Sequence, residues 1–205
     1  MGNEEIKEYN QFEKLIQELI DNEFSCSDDF FQPETIEGLR MNIEHLKASR
    51  LMKQAGIGNH NNFQTNILIR GDKVNWIEEN STNPFEEVYL RKIWRFINHM
   101  NKTCFTSIKS FESHYASYEI GSCYKRHIDQ FKTEKGRKFS MVLYLNQDWK
   151  EKDEGALSIY PLKSEQKDIL PVGGRIVFFR SDEMEHEVRP SFTRERTSIA
   201  GWLKN

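Results

Sequence analysis

Apolar positions recur at helical spacing in the first part of the chain and at strand spacing in the rest. In IKEYNQFEKLIQELIDNEF, residues 6–24, the residues Ile6, Tyr9, Phe12, Leu15, Ile16, Leu19 and Ile20 fall on one helical stripe. SDDFFQP interrupts that pattern, and Pro33 is suited to the first turn of a second helix, ETIEGLRMNIEHLKASRLMKQ, residues 34–54, which Gly56 and Gly58 end. A polar loop, GNHNNFQ, then precedes a short predicted strand from Asn66 to Ile69. The third predicted helix, NPFEEVYLRKIWRFINHMNKT, residues 83–103, carries Phe85, Val88, Tyr89, Ile93, Phe96 and Ile97 on one face. From about Phe105 the period shortens. SHYASYEI, KRHIDQF, RKFSMVLYLN, GALSIYPL, GRIVFFRS, HEVRPS and RTSIAGWLK are short, rich in β-branched and aromatic residues, and separated by turns such as NQDWKEKDEG and PVGG. Strands of this length and number predict a sandwich or a jelly-roll barrel. With no linker, repeat or low-complexity stretch, the expectation is one α+β domain over residues 1–205. Residues 1–104 would be mainly helical support, packed outside a β-core formed by residues 105–205.

Composition narrows the function classes. A length of 205 residues suits one domain with a sizeable core. The net charge of −3 gives no electrostatic footprint for nucleic acid or for an anionic membrane. No apolar run reaches transmembrane length, and the opening MGNEEIKEYN lacks the apolar core of a secretory signal. Cys26, Cys104 and Cys123 are an odd number without a CxxC pair, which predicts reduced thiols and a cytoplasmic protein. Cys123 lies near His127, but nothing beside it activates a thiolate.

The chemistry is concentrated in YEIGSCYKRHIDQF, residues 118–131, where His127 and Asp129 are spaced to share one face of a strand. Alone, such a pair is as readily a polar contact on a solvated face. A second histidine, His186, follows a buried-looking strand and an acidic turn in FFRSDEMEHEVRPS, and Arg196 opens the last strand. Two neutral imidazoles and one carboxylate occupy three positions of an octahedral ion and leave three open, the ligand set of non-haem Fe(II) oxygenases. A Zn hydrolase could use the same three ligands but has no need of the arginine. Arg196 offers a planar fork that suits a distal carboxylate, whereas without the triad it would read as an exposed strand charge.

Four stretches carry a resemblance to a known family: IRGDKVNWIE, YKRHID, LYLNQDW followed by GALSIYP, and HEVRP followed by RTSIAGW. In order and spacing they resemble the 2-oxoglutarate/Fe(II)-dependent oxygenases. More narrowly, they resemble the prolyl hydroxylase branch that contains the oxygen-sensing hypoxia-inducible-factor prolyl hydroxylases and their bacterial relatives. The resemblance spans residues 66–203. It implies a double-stranded β-helix (a jelly-roll, cupin-like core), with His127, Asp129 and His186 as Fe(II) ligands. It implies 2-oxoglutarate and O2 as cosubstrates, with ascorbate as an accessory reductant. Arg196 and Tyr144 would hold the far carboxylate of 2-oxoglutarate, Ser198 would add a hydroxyl contact, and Tyr118 and Leu157 would line the same pocket. Arg137 and Trp202 would face the substrate. GIGNHNNFQTNILIRGDK, with Arg70 and Asp72, would form a flap over a proline-containing protein or peptide. Tyr144 by itself also reads as a core aromatic, Arg137 as a solvated strand-end charge, and RGD as an integrin-type tripeptide. The turn between Tyr118 and His127 is one residue shorter than in the animal oxygen sensors, and the stretch from His186 to Arg196 is one longer. Hydroxylation of a free amino acid or small metabolite, and a non-catalytic binding module, remain the competing functions.

Overall fold

The computed structural model describes residues 2–56, 66, 68–130 and 136–205. Helix α1 (Asn3–Asn22) buries Phe12, Leu15 and Ile16, but Ile6, Tyr9 and Ile20 stay exposed, so its buried stripe is narrower than its apolar one. Glu23 ends it in a left-handed conformation, its N–H closing on the Leu19 carbonyl. Strand β1 (Phe24–Ser27) follows; FSCS alternates, but over only four residues. Helix α2 (Pro33–Ala48) starts at the expected proline but stops short of the expected Gln54. The Ser49 N–H bonds the His45 carbonyl, Arg50 turns through a positive φ, and Lys53–Gln54 becomes β2.

The strand expected over Asn66 to Ile69 is not seen among the described residues of that stretch, 66, 68 and 69. The Asn66 side chain accepts from the Leu68 N–H at 3.1 Å, its carbonyl accepts from the Ile69 and Arg70 N–H groups, and the chain turns. The strand proper, β3, runs from Asp72 to Ile77. Helix α3 (Pro84–Thr103) begins where Asn83 caps it, the side-chain oxygen accepting from the Phe85 and Glu86 N–H groups. Tyr89, Leu90, Ile93, Phe96, Ile97 and Met100 are its buried face, while Phe85 and Val88 sit at the rim.

The remaining strands are β4 (Ser110–Tyr118), β5 (Tyr124–His127), β6 (Arg137–Tyr144), β7 (Leu157–Tyr160), β8 (Lys167–Ile169), β9 (Ile176–Arg180), β10 (Glu185–Val188) and β11 (Arg196–Lys204). They form a seven-stranded sheet ordered β1-β9-β6-β11-β4-β3-β2 and a four-stranded sheet ordered β5-β10-β7-β8. Every pairing is antiparallel. The strands β1, β2 and β3, from the part of the chain expected to be helical, complete the larger sheet.

Period-two alternation divides the apolar residues between two cores. On β9, Ile176 and Phe178 face the helices, and Val177 and Phe179 face the smaller sheet. Similarly on β6, Met141 and Leu143 face the helices while Tyr144 faces inward with Val142 beside it. The outer core joins these residues to Phe12, Leu39, Ile43, Ile93 and Phe96 of the three helices. The inner core joins Ala116, Tyr118, Tyr144, Val177 and Phe179 of the larger sheet to Leu157, Ile159, Ile169 and Val188 of the smaller one. Two facing antiparallel sheets with helices on one outer face make the jelly roll that the sequence predicts. Among the described residues, no helix is long and apolar enough to cross a membrane.

Candidate active site

Strand pairing assembles the candidate metal-ligand set. In the smaller sheet His186 of β10 lies directly opposite His127 of β5, so two imidazoles distant in sequence become cross-strand neighbours. Their ring centroids are 4.3 Å apart. The spacing of His127 and Asp129 works differently from the same-face argument: β5 ends at His127, and Asp129 lies in a bend beyond it. That bend brings Asp129 Oδ1 to 3.4 Å from His127 Nε2 and Oδ2 to 3.6 Å from His186 Nε2. One ligand atom from each of the three residues lies within 4.8 Å of the other two.

Neighbouring groups fix the orientation of each ligand. The Nδ1 of His127 is 2.7 Å from the Lys125 carbonyl, and that of His186 is 3.1 Å from the Met184 carbonyl. Each ring therefore donates through Nδ1–H to the backbone and keeps the Nε2 lone pair for a metal. Tyr124 stacks on His127 at 3.5 Å, and Phe179 packs against His186. The Ser140 hydroxyl donates to Asp129 Oδ2 at 2.6 Å and is itself 2.8 Å from the Ser181 hydroxyl. Burial alone would raise the Asp129 carboxyl, yet the two imidazoles and the Ser140 hydroxyl hold it well below the ordinary carboxylate range. Burial pushes the His186 imidazole down to about 4, so it stays neutral and able to ligate.

Behind the triad, a buried cation waits without an anion. Arg196 is 2% exposed, and no carboxylate among the described residues lies within ion-pair distance of it. Its guanidinium carbon lies 5.1 Å from the Tyr118 ring centre and 4.9 Å from that of Tyr144. Among the described residues, neither Arg196 Nε nor the Tyr144 hydroxyl has a hydrogen-bond partner. Burial raises the Tyr144 phenol above its ordinary value, so it remains a donor. Buried polar groups are rarely left unpaired, and an unpaired buried charge is costlier still, so a guanidinium fork and a phenol with free donors fit a bound carboxylate. Together with a carboxylate–bis-imidazole donor set, these groups fit both Fe(II) and a 2-oxo dicarboxylic acid.

The remaining candidates fall around the same cavity. It is lined by all three ligand residues and by Tyr118, Leu157, Arg196, Ser198 and Trp202, with Arg70 and Asp72 at its edge. Ser198 is the cross-strand partner of Tyr144. Arg137 lies outside the lining, its guanidinium stacked on Trp202 at 3.6 Å and paired with Glu112 at 3.0 Å. The RGD tripeptide is not an exposed loop. Arg70 and Asp72 form a two-pronged ion pair with contacts of 2.8 and 3.0 Å, and Asp72 is 0% exposed. Gly71 and Ile69 hydrogen-bond β5 and the residue before it. An integrin-type role needs an exposed aspartate and is excluded by this burial. Of the predicted flap, residues 57–65 and 67 lie outside those described, as does Phe131. Cys123 is free and lies outside the cavity lining.

The sequence reading missed Ser140, Ser181, Tyr124 and His114. Ser140 was within reach of an alternation argument, being on the inward face of β6 with Val142 and Tyr144, but a serine on a strand carries no signal of what it supports.

Comparison with known proteins agrees with this geometry. Residues 113–204 match the family model described as the 2OG-Fe(II) oxygenase superfamily. Egl nine homolog 1 of Homo sapiens is 31% identical over 144 residues, which are 65% of this chain and 33% of that protein. The aligned region thus spans a third of the human relative's length, and 41% of the Rattus norvegicus one. Among solved structures, a Pseudomonas putida prolyl-4-hydroxylase superposes with a TM-score of 0.86 at 29% identity, covering 95% of this chain and 99% of that one. A Trichoplax adhaerens prolyl hydroxylase, solved with a hypoxia inducible factor oxygen degradation domain peptide fragment, gives 0.88 at 25% identity and covers 100% and 94%. A cross-strand pair of histidines closed by one carboxylate, and a buried arginine behind them, are therefore carried on a backbone similar to those of these prolyl hydroxylases, within the stretch that matches the 2OG-Fe(II) oxygenase superfamily model.

Proposed function

We propose that this protein is a 2-oxoglutarate- and Fe(II)-dependent dioxygenase that hydroxylates a prolyl residue in a protein or peptide, with succinate and CO2 as coproducts. The observation that carries the reading is Arg196, a buried guanidinium with no acidic partner among the described residues, behind a His–Asp–His set. The prolyl substrate is supported by likeness to the Pseudomonas putida and Trichoplax adhaerens enzymes along nearly their whole chains.

His127, Asp129 and His186 would hold Fe(II), which with 2-oxoglutarate and O2 supplies the oxidising power for C–H hydroxylation. The protein's own groups bind and orient. Arg196 and the Tyr144 hydroxyl take the far carboxylate, with Ser198 two residues along β11 from Arg196 and opposite Tyr144. The rings of Tyr118 and Tyr144 and the side chain of Leu157 keep water from that end, which strengthens each charge-assisted contact. The hydrogen bond from Ser140 keeps Asp129 ionised and aimed. Trp202, with Arg137 stacked on it, would form the wall on the substrate side, and the Arg70–Asp72 pair would brace the cavity edge. No side-chain acid or base is required. The three free thiols suit a reducing compartment such as the cytoplasm.

The test supplies purified protein with Fe(II), 2-oxoglutarate and a protein lysate, then reads succinate and, by mass spectrometry, prolines that have gained one oxygen atom. Both signals should appear together and vanish in His127→Ala and Asp129→Ala. Succinate release persisting in those variants overturns the metal assignment, and succinate without any oxygenated proline overturns the substrate.

A further inference from the structure

Once Arg196 and Tyr144 are matched to a carboxylate, two buried polar atoms on the cavity lining still lack a partner: His114 Nδ1 and Trp202 Nε1. His114 sits on the inward face of β4, in alternation with Ala116 and Tyr118. Its cross-strand partners are Trp76 on β3 and Ala200 on β11. Its ring lies 4.9 Å from that of Trp76 and 5.3 Å from that of Trp202. Trp76 is 49% exposed, so this aromatic cluster runs from the cavity lining to the protein surface.

This end of the cavity differs in chemistry from the Arg196 end. Burial, reinforced by the Arg70 guanidinium, pushes the His114 imidazole down to about 3, so the ring is neutral at physiological pH. A neutral imidazole offers one donor and one acceptor, and the indole N–H a further donor. That set satisfies an uncharged amide. An ammonium group has no acceptor for the indole, and a free carboxylate, though it could accept from both rings, would leave the acceptor capacity of the imidazole unused.

We propose that His114, with the Trp202 indole, binds the uncharged peptide group that flanks the prolyl residue, and so makes this site select peptide-bound proline over free proline. The inference rests on the prolyl hydroxylase reading and deepens it. His114 is a specificity-determining residue in this account, with no part in holding iron or 2-oxoglutarate.

The experiment measures equilibrium binding by ligand-observed NMR, using N-acetyl-L-prolinamide and free L-proline as probes on the full chain with 2-oxoglutarate bound in the absence of O2. Wild-type protein should bind the capped probe more tightly than free proline. His114→Leu should weaken the capped probe about tenfold, the order of one buried hydrogen bond, and leave free proline unchanged. His114→Gln, which restores a donor and an acceptor, should recover most of that loss. Affinity for 2-oxoglutarate should be equal in all three proteins, which also reports that each variant is folded. Equal binding of the capped probe by wild type and His114→Leu overturns the inference, as does a failure of wild type to bind the capped probe. A capped-probe loss matched by an equal loss of 2-oxoglutarate overturns it too. Failure of the enzymatic reading is distinguishable: succinate release would be missing while the His114-dependent binding remained.

Discussion

At the scale of single residues, Arg196 separates a binding role from a structural one. A buried ion pair that loses one partner costs the fold several kcal/mol, whereas a buried charge kept for a ligand is a liability until the ligand arrives. Arg196→Met should therefore unfold at the same or a higher temperature than wild type in the absence of 2-oxoglutarate. The same variant should bind 2-oxoglutarate about 100-fold more weakly by calorimetry, since about 2–3 kcal/mol of charge-assisted bonding is lost. A marked fall in the melting temperature of the ligand-free variant contradicts the role. Ser140→Ala tests the support of the metal set. With the 2.6 Å hydrogen bond to Asp129 gone, Fe(II) affinity should drop about 10-fold or more in a metal titration, with 2-oxoglutarate turnover recovering at high iron. His127, Asp129, His186 and Arg196 could be singled out as candidates because their chemical types are rarely combined by chance. Ser140 and His114 were not, because a serine or a lone histidine on a strand means something only once its neighbours across the sheet are known.

At the scale of elements, the site depends on the register of β11, which carries Arg196, Ser198 and Trp202 inward. The start of that strand is tied down by Asn146, whose side-chain oxygen accepts from the Thr197 N–H at 2.7 Å and whose amide donates to the Pro171 carbonyl. Gly173 lets the following turn close on the same residue: a Cβ there would lie 2.3 Å from the Asn146 carbonyl oxygen, a backbone atom that cannot step aside. Gly173→Ala should lower stability by about 1–3 kcal/mol or more in urea unfolding, and should weaken 2-oxoglutarate binding as Thr197 and Arg196 shift. Unchanged stability would mean that this turn does not set the register. The elements legible in the sequence were α1, the start of α2, α3 and the strands β4, β5, β6, β7, β9, β10 and β11. The short edge strands β1, β2 and β8 were missed because each is held by pairing with a neighbour, which no local pattern records. The strand expected at Asn66 to Ile69 failed for a matching reason, since the Asn66 side chain captured the backbone for a turn.

At the scale of the whole molecule, buried neutral histidines make the fold sensitive to acid. The His114 imidazole falls from an ordinary 6.5 to about 3, which means that the unfolded chain takes up a proton before the folded one does. Its contribution to stability is therefore complete above pH 6.5 and is lost progressively as pH falls from there toward about 3. Urea midpoints of the metal-free protein should decline over that window, and less steeply in His114→Leu. A second global expectation follows from linkage. A metal and a 2-oxo acid that bind only the folded state raise its melting temperature, and Fe(II) with 2-oxoglutarate should raise it more than either alone in a thermal scan. Stabilisation by Zn(II) with no added effect of 2-oxoglutarate would favour the hydrolase alternative. The sequence by itself determined the class of fold and pointed to His127, Asp129, His186 and Arg196 as candidates, because hydrophobic period and residue chemistry are local properties written in order along the chain. Only the tertiary structure decided that Asp129 reaches the histidines from a bend rather than from the strand, that Arg70 and Asp72 satisfy each other instead of facing solvent, and that His114 stands unpaired between two tryptophans. Each of those outcomes depends on which strands lie side by side and on what is left without a partner after burial, and neither is fixed until the two sheets close on one another.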